Sequence, residues 1–152
     1  MSSDINKLSA SFYGITMVPK DNWREYGYAL LTIAGSDGEV SDPELEWLTI
    51  ECAQSVGVDE DIIADWEEYD FEEGELEEIF HSFNFKSFAN FNKLLIYDAI
   101  RMSSADGEFA QDEREQVYHA AQILKVPMDT VLAIEALVDL EQAASKLRLT
   151  IL

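Results

Sequence analysis

Two stretches of this chain superpose on each other residue by residue: SDGEVSDPELEWL (Ser36–Leu48) and ADGEFAQDEREQV (Ala105–Val117). Asp37, Gly38, Glu39, Glu44 and Glu46 recur as Asp106, Gly107, Glu108, Glu113 and Glu115, at a constant offset of about seventy residues. The apolar Val40 recurs as Phe109, and Leu48 as Val117. Like sequences in like surroundings fold alike, so the repeat restricts the chain to folds built from two equivalent units. What flanks each Asp-Gly pair then decides what the unit is.

The flanks read as helices. From Asp21 onward Tyr26, Ala29, Leu30, Ile33 and Ala34 fall at i, i+3, i+4, i+7 and i+8, a single apolar stripe. Gly38 is placed to end that helix in the left-handed conformation that glycine tolerates. Ser41 is then the N-cap of the next helix, with Pro43 in its first turn and Glu44 completing an S-x-x-E capping box. Leu45, Leu48, Cys52 and Val56 give the second helix its buried face, and Gly57 stops it. The acidic stretch Asp59–Glu78 holds two short helices, from Asp61 to about Tyr69 and from Glu75 to about Phe83. A long, central helix runs from about Lys86 to Ser104, apolar around much of its girth. Gly107 breaks it, and further helices run from about Gln111 to Lys125 and from Met128 to about Lys146.

No strand alternation or hairpin dipeptide stands out, so the expected fold is all-α: one compact domain of six or seven helices from two pseudo-symmetric αα-hairpins. Residues 1–20, interrupted by Gly14 and Pro19, are read as irregular or loosely attached. The helical domain spans 21–152, with hairpin one at about 23–57, an acidic connector at 58–85 and hairpin two at about 86–141.

Charge limits the partners. The chain carries 31 acidic against 10 basic residues, a net charge of −21. Between Arg24 and Lys86 there is no Lys or Arg but there are 19 acids. Such a field repels phosphate backbones, which disfavours nucleic acid, and favours divalent cations or a basic or amphipathic protein partner. No run of about 18 apolar residues suggests membrane insertion. The N-terminus lacks a signal-peptide pattern, and the lone Cys52 rules out an internal disulfide, so a cytoplasmic location is expected.

The twin SDG/ADG-E-φ-x-x-x-E hairpins, each Asp-Gly pair ending an apolar helix, resemble the TerB-type tellurite-resistance family over roughly Trp23–Leu140. That family includes a similar domain attached to some membrane-anchored J-domain proteins. The resemblance implies a compact helical cytosolic domain linked to tellurite and metal-oxyanion stress, with an acidic patch suited to divalent metal and no established catalytic activity. It makes other tellurite-resistance proteins candidate partners. The family's motif acids fall on Asp37, Glu39 and Glu44, and on Asp106, Glu108 and Glu113. The Asp59–Glu78 stretch, unusually acidic and aromatic, departs from the pattern and leaves partner choice open.

The motif acids admit two readings. In the first, Glu44 closes a capping box and Asp37 serves the turn. Against this as the whole account, Asp37 and Asp106 sit at the negative end of a helix dipole. In the second copy the cap is Ala110, which has no side-chain oxygen, yet Glu113 persists; Asp112 with Glu115 offers a substitute box one residue on. In the second reading the acids are ligands. D-G-x-φ-x-x-x-E is the C-terminal half of an EF-hand loop, but the other ligand positions hold Ile33 and Gly35, or Met102 and Ser104, so a normal EF-hand is excluded. A site would have to pool Asp37, Glu39, Glu44, Asp106, Glu108 and Glu113 between hairpins packed face to face. All-oxygen ligation favours Ca²⁺ or Mg²⁺ over zinc.

His81, His119 and Cys52 lack zinc spacing, and Cys52 reads as a core residue. Trp66, Tyr69, Phe71 and Phe80 read as anchors for the short helices, with a docking surface as the alternative. The function expected is a non-enzymatic acidic module that binds a divalent cation and a protein. The alternative is a metal-dependent hydrolase using the same carboxylates.

Overall fold

A computed structural model describes residues 2–4, 17–81 and 91–152. The apolar stripe from Trp23 onward produces helix α1 (Lys20–Ala34), in which Trp23, Tyr26, Ala29, Leu30, Ile33 and Ala34 are buried. A 3-10 turn (Gly35–Asp37) tightens its end, and Gly38, at φ 99°, donates its N–H to the Gly35 carbonyl. Ser41 then caps α2 (Asp42–Glu46), which continues through a π-helical segment (Trp47–Cys52) into α3 (Ala53–Val56). The capping box is complete: the Ser41 hydroxyl accepts the Glu44 N–H at 3.3 Å, and Glu44 Oε1 accepts the Ser41 N–H at 2.8 Å. Gly57, at φ 72°, stops the helix as its sequence position indicates. Leu48 and Cys52 are buried as expected and Leu45 half-buried. The π segment was not legible in the sequence; it turns Trp47 into the interior alongside Leu48.

The acidic connector folds as α4 (Glu60–Glu68), a 3-10 turn (Phe71–Glu73) and α5 (Leu76–His81). Its aromatic residues are the means of attachment. Trp66 is buried and its indole N–H donates to the Arg24 carbonyl at 3.1 Å. Tyr69 stacks on Tyr28 with ring centroids 4.3 Å apart and shares a hydrogen bond with Thr32. Phe80 is buried, and Phe71 packs beside Gly35. The anchoring reading of these four therefore holds.

The central helix α6 (Phe91–Ser103) buries Leu94, Leu95, Ile96, Ala99, Ile100 and Met102. The start expected for it over 86–90 lies outside the described residues. It packs against α1, against α7 (Gln111–Ile123) and against α8 (Met128–Ile151), so it holds the two hairpins together. Gly107, at φ 89°, occupies the turn before α7 as Gly38 does before α2. Lys125, at φ 60°, reverses the chain after α7. The last helix runs to Ile151, beyond the Lys146 end read from sequence.

The described fold is thus helical, with one addition. Within the segment read as irregular, Ser2–Asp4 pairs antiparallel with Met17–Pro19 as a two-stranded ribbon of three residues a strand. Among the described residues, no helix is long and apolar enough to cross a membrane.

Candidate functional site

The two hairpins pack so that the second half of each meets the other. The turn Gly35–Asp37 lies against α7, and α2 lies against α6. Glu44 and Glu113, the equivalent glutamates of the repeat, are consequently both buried, at 2% and 1% exposure. Full burial of an acid is rare without compensation, so the partners of each oxygen matter.

Each glutamate divides its oxygens. Glu44 Oε1 accepts the Ser41 N–H; Glu113 Oε1 accepts the Ala110 N–H at 3.0 Å. Glu113 therefore forms half a capping box, the half that does not need a side-chain oxygen at position 110. The substitute box suggested for Asp112 and Glu115 does not form. Helix α7 begins at Gln111 with Ala110 as its cap, which puts Asp112 inside the first turn, and Glu115 instead accepts from the Gln111 side chain at 3.3 Å.

The other oxygen of each pair member, Oε2, is buried without a protein hydrogen-bond donor. The two carboxyl groups influence one another across the hairpin interface. Two ionised carboxylates cannot hydrogen-bond to each other, since both only accept. Burial, followed by the facing Glu44 carboxyl, pushes Glu113 up to about 9. Burial also raises Glu44, against the lowering influence of its hydrogen bonds with Glu113 and Ser41. The pair is one coupled group holding a proton at neutral pH in the absence of another positive charge.

Asp37 and Asp106 are exposed at the rim, each in Coulombic reach of the opposite hairpin's glutamate: Asp106 of Glu44, and Asp37 of Glu113. Their side chains are engaged locally, Asp37 Oδ1 accepting the Glu39 N–H at 3.2 Å and Asp106 Oδ1 the Glu108 N–H at 3.0 Å. That Asx turn offsets the unfavourable dipole position noted from sequence. Glu39 and Glu108 are exposed and supply backbone amides to the turn rather than side chains to the pair. Of the six acids, the fold brings together Glu44 and Glu113, flanks them with Asp37 and Asp106, and leaves Glu39 and Glu108 in solvent. Among the described residues, no group of three or more His, Cys, Asp or Glu side chains is already drawn together as a metal cage.

A second buried polar group had no counterpart in the sequence reading. Asp98, fully buried on α6, receives the Tyr26 hydroxyl hydrogen and lies 3.3 Å from Arg101 Nη1. The Arg101 guanidinium stacks over Trp47 and Tyr97, 5.1 and 5.0 Å from the ring centroids. The available signal was an aspartate inside the apolar run LLIYDAI. Arg101 borders an open cleft of about 610 Å³ between the π segment and α8, whose walls also include Glu46, Glu141 and Arg148. The zinc-like candidates stay apart: Cys52 is a buried core thiol, and His119 pairs with Glu77 at 2.7 Å on the surface.

A helical domain of paired hairpins closing on two buried carboxyl groups is the class these features define. No protein-family model and no curated protein matches the sequence. A solved structure of a tellurite resistance protein from Nostoc punctiforme is similar, with 29% sequence identity and a TM-score of 0.78, over 93% of this chain and 87% of that one. The resemblance drawn from the twin hairpins is borne out as a likeness: the chain shares the all-helical fold of that TerB-like tellurite resistance protein.

Proposed function

We propose that this chain is a non-enzymatic acidic module of tellurite and metal stress resistance, in which the Glu44–Glu113 pair holds a divalent cation, Ca²⁺ or Mg²⁺. The observation that carries the cation reading is the pair of Oε2 atoms, one from each hairpin, both buried without a hydrogen bond from the rest of the protein. A hard cation between them replaces the shared proton and satisfies both. The donor set is all oxygen, which fits calcium or magnesium rather than zinc. Asp37 and Asp106 contribute negative potential at the rim, and water completes the coordination. Glu39 and Glu108 stand further out and serve the field rather than the ion. The tellurite context rests on the Nostoc protein's description.

Burial of the pair supports binding rather than catalysis. Both glutamates are almost wholly enclosed and one oxygen of each is committed to a helix cap, which suits them to hold a small ion and its waters rather than a larger substrate. Because the ion joins two halves of the domain, its uptake is an event the fold can report to a partner. The net charge of −21 favours a basic or amphipathic protein for that role, other tellurite-resistance proteins among them, in the cytoplasm. The test is calorimetric titration of the chelator-treated protein with Ca²⁺ and with Mg²⁺ in two buffers of different ionisation enthalpy. Binding should release a proton and tighten from pH 6 to pH 8, by up to about tenfold per pH unit per proton displaced. Binding without proton release and independent of pH places the ion elsewhere.

A further inference from the structure

The last helix carries a face that its own domain leaves uncovered. Val131 and Val138 turn inward from α8 and are buried. On the opposite side Ala133, Leu137, Leu140, Ala144, Leu147 and Ile151 recur every three and four residues, the spacing of a two-helix seam. Leu137, Leu140, Leu147 and Ile151 are 46%, 68%, 59% and 68% exposed. Single exposed leucines are ordinary, but a continuous row without a charge, in a chain of net −21, marks a surface that meets another.

The charges along α8 say what that surface fits. Its first part exposes Asp129 and Asp139 and has no base, its other two acids being held by the domain itself, Glu135 by Arg114 and Glu141 by the Tyr97 hydroxyl; its last turns carry Lys146 and Arg148 and no acid. From Lys146 to Leu152 every residue is exposed, with Arg148 at the edge of the cleft beside the π segment. We propose that α8 pairs antiparallel with α8 of a second copy, the basic last turns of each lying along the acidic first part of the other. A parallel pair would set the exposed Asp129 and Asp139 of one copy beside those of the other. The antiparallel pair opposes unlike charges and keeps the two acidic bodies at opposite ends. The seam from Ala133 to Ile151 is about 27 Å long at 1.5 Å per residue. That is the low end of a stable interface, so the dimer is micromolar rather than nanomolar.

The test is sedimentation of the full chain over roughly 1–300 μM in chelator, which keeps it independent of the carboxylate pair. Wild type is expected to pass from monomer to dimer across that range. Leu140→Glu/Leu147→Glu should stay monomeric with unchanged helical content, and Leu140→Gln/Leu147→Gln checks the same seam without added charge. Lys146→Glu/Arg148→Glu should weaken the dimer at least tenfold. A wild type that remains monomeric, or a dimer that survives both leucine variants, overturns the proposal. A dimer broken by the leucine variants yet indifferent to the charge reversal overturns the antiparallel arrangement. Co-sedimentation with phosphatidylserine–phosphatidylcholine vesicles is the parallel arm. Leucine-dependent vesicle binding by a monomeric wild type would reassign the face to a lipid surface.

Discussion

Replacing Glu113 with Gln in the cation-free protein should flatten the dependence of stability on pH. In the folded chain Glu113 keeps its proton up to about 9, whereas in the unfolded chain it titrates as an ordinary carboxyl. A folded value above the unfolded one contributes stability that is fully present below the unfolded value and is lost as pH rises through the folded one. Within that window the loss is at most about 1.4 kcal/mol per pH unit, so about 2.7 kcal/mol between pH 6 and pH 8. In a domain of this size that corresponds to a fall in Tm of roughly 5–11 °C. The amide of Glu113→Gln retains an oxygen to accept the Ala110 N–H and offers Glu44 a permanent donor in place of the titratable proton. Thermal melts of both proteins in chelator, from pH 5.5 to 9 at fixed ionic strength, give two curves. Contributions from the rest of the chain are common to both proteins, so the difference in slope isolates the pair. Wild type is expected to lose at least twice as many degrees as the variant between pH 6 and 8. Parallel curves would show that the two carboxyl groups are not coupled, and the site as described would be wrong.

Three further outcomes follow from the fold. Gly38→Ala and Gly107→Ala should each cost about 1 kcal/mol, because a Cβ at φ 99° or 89° is strained although no atom lies within 4 Å of it; unchanged melts would refute the left-handed turn. Gly27→Ala should cost more, about 1–3 kcal/mol, since its Cβ would stand 2.0 Å from the Trp66 indole; the same denaturant series ranks it against Gly38→Ala, and the reverse order would contradict the packing of α4 on α1. Trp66→Ala should destabilise by about 3–5 kcal/mol and release α4 to rapid amide exchange ahead of α6; equal protection of both helices would show that Trp66 is not the anchor.

Much of this was legible because the informative residues act locally. Gly38, Ser41, Pro43 and Glu44 specify a turn and a cap within a few positions, and the structure places the helix start where they indicate. The buried stripe of α1 is likewise a matter of spacing. What the sequence concealed depends on tertiary contact. The two EF-hand-like half motifs suggested six equivalent acids, but only packing of one hairpin on the other separates buried Glu44 and Glu113 from exposed Glu39 and Glu108. Ala110 is the second cap, as its position indicates, and the alternative box at Asp112 and Glu115 is not needed. A backbone N–H needs only Glu113 as its acceptor, so the missing hydroxyl did not call for a shift to Asp112. Asp98 is fixed by Tyr26, 72 positions earlier in the chain, a relation no local pattern carries.

The central claim, a divalent cation held between the hairpins, is tested most directly by melting wild type and the variant Asp37→Asn/Glu44→Gln/Asp106→Asn/Glu113→Gln with calcium, with magnesium and with chelator. Ionic strength is held constant, and a monovalent salt serves as control. At a hundredfold excess over its dissociation constant a bound ion adds about 2.7 kcal/mol, or roughly 5–11 °C here. Wild type should rise by that amount with the preferred ion, and the variant should not respond. Equal shifts in the two proteins would mean that the ions only screen a charge of −21, and no cation would then be assigned to Glu44 and Glu113.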